Sequence, residues 1–145
     1  MVKLLKNRAG FSLIEIIAVL VLVAIVSVVV VARAGGLGNA ASLQADVGAL
    51  KSHLRYAQMR AMSDTVPWST VIGGSSYTLF RDGAPSPLPG GDSETYFFAG
   101  GVSATAATVT FDDWGIPAEG AVSITLSGAG GSVTVTVTEN TGFVP

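Results

Sequence analysis

Twenty-two consecutive residues, Phe11 to Ala32, carry a single charge, and that charge is the carboxylate of Glu15. As a helix rising about 1.5 Å per residue, the run reaches ~33 Å, enough to cross a hydrocarbon core of about 30 Å. Lys3, Lys6 and Arg8 precede it and Arg33 closes it. Basic flanks stay on the cytoplasmic side, so the N-terminus is expected inside and the chain beyond Arg33 outside. An acid within the span costs roughly 2.5 to 3.5 kcal/mol on the insertion scale, which makes Glu15 a candidate functional residue. A carboxylate in apolar surroundings needs a cationic partner or must take up a proton.

Other uses of such a run are open at this stage. A cleaved secretory signal has some support from the small-x-small pattern of Ala32-Arg33-Ala34, although its apolar region is expected to be only about 7 to 15 residues. A generic signal anchor would leave Glu15 merely enjoying the positive end of the helix dipole. A buried helix of a soluble protein fits poorly with this length and the basic leader. The chain has no cysteine, so it offers no site for acylation and no disulfide to staple an exported part; a packed core must hold that part together.

Beyond the run, Gly35, Gly36 and Gly38 fall within four positions. Each costs a helix interior about 1 kcal/mol relative to Ala, so a bend or a locally melted stretch is expected there. A second helical signal follows: Leu43, Val47, Leu50, Leu54, Ala57 and Ala61 recur at steps of four and three, which marks one apolar face. Gln44, Lys51, Arg55, Gln58 and Arg60 fall on the others, and Met59 and Met62 are expected to fill gaps in the core. Ser63-Asp64-Thr65 and Pro67 end this helix.

From Val66 the period changes to two. Strands are expected at Val66 to Ile72, Ser76 to Arg81, Tyr96 to Phe98, Thr108 to Phe111, Val122 to Leu126 and Val133 to Val137. Turns are expected at Gly73-Gly74-Ser75, Asp82-Gly83, Asp112-Asp113-Trp114-Gly115 and Gly128-Ala129-Gly130-Gly131, and the Pro- and Gly-rich stretch from Ala84 to Asp92 is expected to be a loop. The fold class is therefore α+β, a long N-terminal helix with a membrane-spanning first half, packed on an antiparallel β domain. The expected divisions are a leader over 1–10, a spanning helix over 11–34, a second helical part after the Gly-rich bend over 35–65, and an exported β domain over 66–145.

Catalytic chemistry finds little to work with. The single histidine, His53, lies on the second helical part, and no G-x-S-x-G segment supports a nucleophile. Asp112 and Asp113 lack the ligand spacing of a calcium loop, and the glycine clusters lack the following Lys-Ser/Thr of a phosphate cradle. We expect no catalytic residue, no metal and no cofactor. Trp68 and Trp114 are expected to pack in the core or against a turn. After Arg81 the chain has no Lys or Arg, while Asp82, Asp92, Glu94, Asp112, Asp113, Glu119 and Glu139 are all negative. Such a surface repels a polyanion, so no nucleic-acid partner is expected.

The window Ala9-Gly10-Phe11-Ser12-Leu13-Ile14-Glu15 resembles the class III signal of type IV prepilins and type II secretion prepseudopilins, in which a basic leader ends in Gly, Phe follows, and a Glu stands four positions further on. The resemblance implies that a prepilin peptidase cuts between Gly10 and Phe11 and methylates the new Phe11 amine. It also implies that Glu15 neutralises that amine on a neighbouring subunit as the helix passes from membrane to filament. Removing the leader with Lys3, Lys6 and Arg8 would take the formal charge from -2 to about -5.

A second resemblance covers most of the remaining chain. Leu50 to Met62, Val109-Thr110-Phe111-Asp112 with Gly115 and Pro117, Val122 to Leu126, Val133 to Val137 and Thr141-Gly142-Phe143-Val144 are similar to the GspH/FimT family of minor pseudopilins and minor pilins. The implied role is a minor pseudopilin of the type II secretion system, held in the inner membrane with its C-terminal domain in the periplasm and later built into a periplasmic filament that supports protein export. A minor type IV pilin priming pilus assembly is the alternative. A further one is an exported β domain on a generic anchor or cleaved signal. Implied partners are other pseudopilins or pilins through the N-terminal helix, the prepilin peptidase and the inner-membrane assembly platform. Some minor pilins of this family capture DNA; the acidic balance above argues against it here.

Overall fold

The computed structural model describes residues 12–145, with the side chains of 31–39 left aside. Gly10 and Phe11 lie outside the described residues. Helix α1 (Leu13–Asp64) is 52 residues long. Contacts divide the chain into two units, Met1–Gly35 and Gly36–Pro145.

In the first unit the Ser12 carbonyl opens α1 by accepting the amides of Glu15 (3.0 Å) and Ile16 (3.2 Å). The stretch Leu13–Val30 has a mean hydropathy of 3.2 and none of it is buried. A core helix of a soluble domain hides its apolar side chains against its own chain, and this stretch does not. The hydroxyl of Ser27 donates to the carbonyl of Val23 at 2.7 Å, which satisfies it without an outside partner.

Helix α1 runs through Gly35, Gly36 and Gly38, which corrects the bend or melted stretch that these glycines predict. In the second unit the apolar face is as the spacing predicts: Leu43, Val47, Leu50, Leu54, Ala57 and Ala61 are all buried. Met59 and Met62 correct the expectation, since both are largely exposed, with Met62 lying beside Gly115. Thr65, at a φ of 54°, breaks the helical backbone directly after Asp64.

The β region forms two antiparallel sheets. The larger contains β1 (Trp68–Ile72), β2 (Ser76–Arg81), β3 (Ala84–Pro85), β4 (Thr95–Phe97) and β6 (Ala107–Phe111), in the order β3-β2-β1-β6 with β4 also on β2. The smaller contains β5 (Ser103–Ala104), β7 (Val122–Gly128) and β8 (Gly131–Val137), in the order β5-β7-β8. The β2–β3 turn is Asp82-Gly83, with φ values of 50° and 78°, the pair of positive values that a two-residue turn of right-handed twist requires.

Three expectations change in detail. Ala84 and Pro85 pair with Arg81 and Phe80 instead of joining the loop. β4 begins at Thr95 and ends at Phe97, leaving Phe98 as a buried residue beyond it. The two-residue β5 carries too little alternation to be seen in the sequence. Inward residues of both sheets, including Trp68, Leu79, Val109, Phe111, Ile124, Leu126, Val135 and Val137, join the helical face in one continuous core.

Candidate assembly site

Glu15 sits in the first turn of α1, where the positive end of the helix dipole favours its charge. Its side chain is exposed, and no cation pairs with it among the described residues. Ile14 and Ile16 beside it are exposed apolar side chains, so a surface that buries them against another chain must also supply a partner for this carboxylate. Gly10 and Phe11, the other members of the expected processing site, lie outside the described residues.

The second unit contains buried polar contacts that the sequence reading missed. Asp46 is 2% exposed; its carboxylate accepts the Tyr96 hydroxyl at 2.9 Å and the Ala99 amide at 2.9 Å. Position 46 falls on the Leu43-Val47-Leu50 stripe, and an acid on an apolar stripe was the available signal. His53 accepts or donates at Nδ1 with the Tyr77 hydroxyl, 2.6 Å away, and its ring meets Tyr77 and Tyr96 edge-on at 5.7 and 5.9 Å. Burial pushes the His53 pKa down and those of Tyr77 and Tyr96 up; the neighbouring Asp46 raises both phenols further. His53 thus serves as a packing residue between helix and sheet.

The end of α1 grips the C-terminal segment. Arg55 donates twice to the Val144 carbonyl, at 3.1 and 2.8 Å, and Gln58 donates to the carbonyls of Gly115 (2.9 Å) and Thr141 (2.8 Å). Arg60 lies over the Trp68 ring at 5.3 Å and pairs with Asp64 at 2.9 Å, while Arg81 reaches Asp64 at 3.2 Å. Arg55 and Gln58 read in the sequence only as polar residues off the apolar face, so nothing local marked them as tethers.

The Asp112 turn is structural. Its Oδ1 accepts the amides of Trp114 (3.0 Å) and Ile116 (2.8 Å), which closes the turn and leaves Trp114 76% exposed, against the expected packing. Among the described residues no group of three or more His, Cys, Asp or Glu could hold a metal ion.

An apolar, unburied N-terminal helix continuing into a second half that packs on antiparallel sheets is the pilin fold. Residues 5–31 match the prokaryotic N-terminal methylation motif. Over the fold, the chain is similar to the type IV minor pilin FimU of Pseudomonas aeruginosa strain PAO1 in two crystal structures. In one the TM-score is 0.56 at 16% identity, covering 71% of this chain and 86% of that one. In the other the TM-score is 0.51 at 15% identity, covering 70% and 96%. No curated protein matches the sequence.

Proposed function

We propose that this chain is a minor structural subunit of a pilin-class filament. It is made with the leader 1–10, cut between Gly10 and Phe11, methylated on the new amine, and held in the inner membrane by α1 with the β domain in the periplasm. It then passes into a helical filament in which its apolar segment packs against those of other subunits. The observation that carries this reading is the conjunction of the methylation motif over residues 5–31 with a lone acid, Glu15, on a helix stretch that is entirely unburied within its own chain. In the filament, Glu15 meets the Phe11 ammonium of a neighbour, which removes the cost of holding either charge alone in apolar surroundings.

Two filaments fit. A type II secretion pseudopilus is favoured by the acidic, base-free chain after Arg81, which suits no polyanion. A type IV pilus is favoured by the likeness to the minor pilin FimU. Loss of a secreted exoprotein on deletion of the gene selects the first; loss of surface pili selects the second.

The reading is tested at its N-terminus and at Glu15. Sequencing of the mature protein is expected to begin at methylated Phe11; a start at Gly35 would mean a cleaved secretory signal, and one at Met1 or Val2 a plain anchor. Glu15→Ala is expected to insert in the membrane normally but to be lost from sheared filaments, and unimpaired incorporation removes the role given to this carboxylate.

A further inference from the structure

Single apolar residues scattered over a surface are ordinary, whereas several gathered on one patch mark a contact surface. Among the described residues of Gly36–Pro145, the exposed large apolar side chains are Met59, Met62, Val71, Phe97, Trp114, Ile116 and Phe143. Four of these seven belong to one place, where the turn after β6 and the C-terminal segment meet the end of α1. Gly142 lies against the Gly115 carbonyl and the Gln58 side chain, and Met62 lies beside Gly115. Trp114 and Ile116 flank the one glycine and Phe143 follows the other.

The backbone under this patch is fixed. Asp112 accepts the Trp114 and Ile116 amides, the Gly115 amide donates to the Asp112 carbonyl at 2.9 Å, and Gln58 joins the Gly115 and Thr141 carbonyls. The Phe143 amide donates to the Thr138 hydroxyl at 2.9 Å, and Arg55 holds the Val144 carbonyl. Folding therefore orders the chain beneath both exposed aromatics in advance, which lowers the entropy cost of binding them. Tryptophan is also enriched among the side chains that dominate protein contacts. The charge around Trp114 has one sign. Asp113, Glu119 and Glu139 are exposed, Glu139 borders Gly120, and no cation pairs with Asp112, Asp113, Glu119 or Glu139 among the described residues. The arginines of this unit are engaged elsewhere, Arg60 and Arg81 with Asp64 and Arg55 with Val144.

We propose that this patch docks a protein other than this chain, through a segment that sets an Arg or Lys over the Trp114 ring within reach of Asp113 and an apolar side chain against Phe143 and Met62. Charge selects that occupant. A second copy does not fit, because Gly36–Pro145 carries nine acids against four bases, and two such units repel. An anionic membrane and a nucleic acid are repelled for the same reason. A cation placed on the aromatic face gains the ring and the unpaired Asp113 carboxylate together, and no internal contact of either group has to be broken. The contact goes beyond the filament role proposed above, since it uses no residue of the apolar N-terminal stretch and does not depend on how that stretch is processed.

The test uses the full-length chain in its host, with a photoreactive phenylalanine analogue at Phe143 or, as a control, at Phe97, which pairs with Ser76 at the other end of the larger sheet. Phe143 is expected to cross-link to a protein other than this chain, with the joined segment, mapped by mass spectrometry, containing Arg or Lys; Phe97 is expected not to capture that segment. Trp114→Ala and Asp113→Lys are each expected to cut the Phe143 product at least about tenfold. Changing the joined segment's Arg or Lys to Glu is expected to restore the product in the Asp113→Lys chain, which a merely structural Asp113 would not allow. If Trp114→Ala impairs folding, Asp113→Lys, at an exposed side chain without an internal partner, decides alone. The docking surface is overturned by no product at Phe143, by a product that is a second copy of this chain, by a segment without Arg or Lys, by capture of the same segment at Phe97, by a product undiminished in a folded variant, or by failure of the charge exchange to restore it. None of these outcomes bears on the subunit reading, which falls instead if the mature chain begins elsewhere than at Phe11.

Discussion

Leu54 is fully buried on the helical face and belongs to the core that both sheets share. Leu54→Ala is expected to lower the unfolding free energy by about 2 to 5 kcal/mol in denaturant titrations, because the site keeps a cavity. Asp46→Ala strands the Ala99 amide and the Tyr96 hydroxyl, and a loss of about 1 to 3 kcal/mol is expected in the same measurement. Thr70 gives the opposite sign: it is 0% exposed and its hydroxyl finds no protein partner. Thr70→Val should leave the melting temperature unchanged or raise it. The two tryptophans, 2% and 76% exposed, predict two-phase acrylamide quenching, with Trp114 accessible and Trp68 protected.

At the scale of elements, the join between α1 and the sheets carries the pH dependence. Folded His53 has a pKa below its ordinary 6.5, so the unfolded chain binds the proton first as pH falls. Stability is therefore full above about 6.5 and declines as pH drops through the window below it, until the folded histidine also protonates. Melting curves from pH 7.5 to 5 are expected to show this decline, and His53→Gln to flatten it. Tyr77 and Tyr96 face His53 in that contact, and their raised pKa values keep them neutral throughout this range. The grip of α1 on the C-terminal segment depends equally on close approach. Gly142 has a φ of 60° and its missing Cβ would strike the Gly115 carbonyl oxygen, so Gly142→Ala is expected to loosen the Arg55 and Gln58 tethers and to speed amide exchange from Thr138 to Val144.

For the whole molecule, two surfaces of opposite character follow from one charge distribution. The N-terminal stretch offers apolar side chains and one carboxylate; the β region offers acids, seven of them after Arg81 and no base. Electrophoretic mobility shifts at low salt are expected to show no micromolar binding of duplex DNA by the detergent-solubilised chain, since phosphate contacts need cations that this domain lacks after Arg81. Micromolar binding would show that Arg55, Arg60 and Arg81 are displayed together despite their engagement with Val144 and Asp64.

Periodicity alone settled the parts in which neighbours along the chain share one environment. The apolar span, the buried helical face from Leu43 to Ala61, and the strands β1, β2, β6, β7 and β8 each repeat a spacing that only one backbone geometry can bury or expose consistently. The turn at Asp82-Gly83 was equally legible, because its backbone needs positive φ. Tertiary structure decided what depends on a partner distant in sequence. It divided the strands between two sheets, placed Met59, Met62 and Trp114 outside, and turned Asp46, Arg55 and Gln58 into anchors for segments 50 to 89 residues away along the chain. Those outcomes follow from which surfaces meet after folding, and a side chain's type and spacing carry no record of the surface that will arrive opposite it.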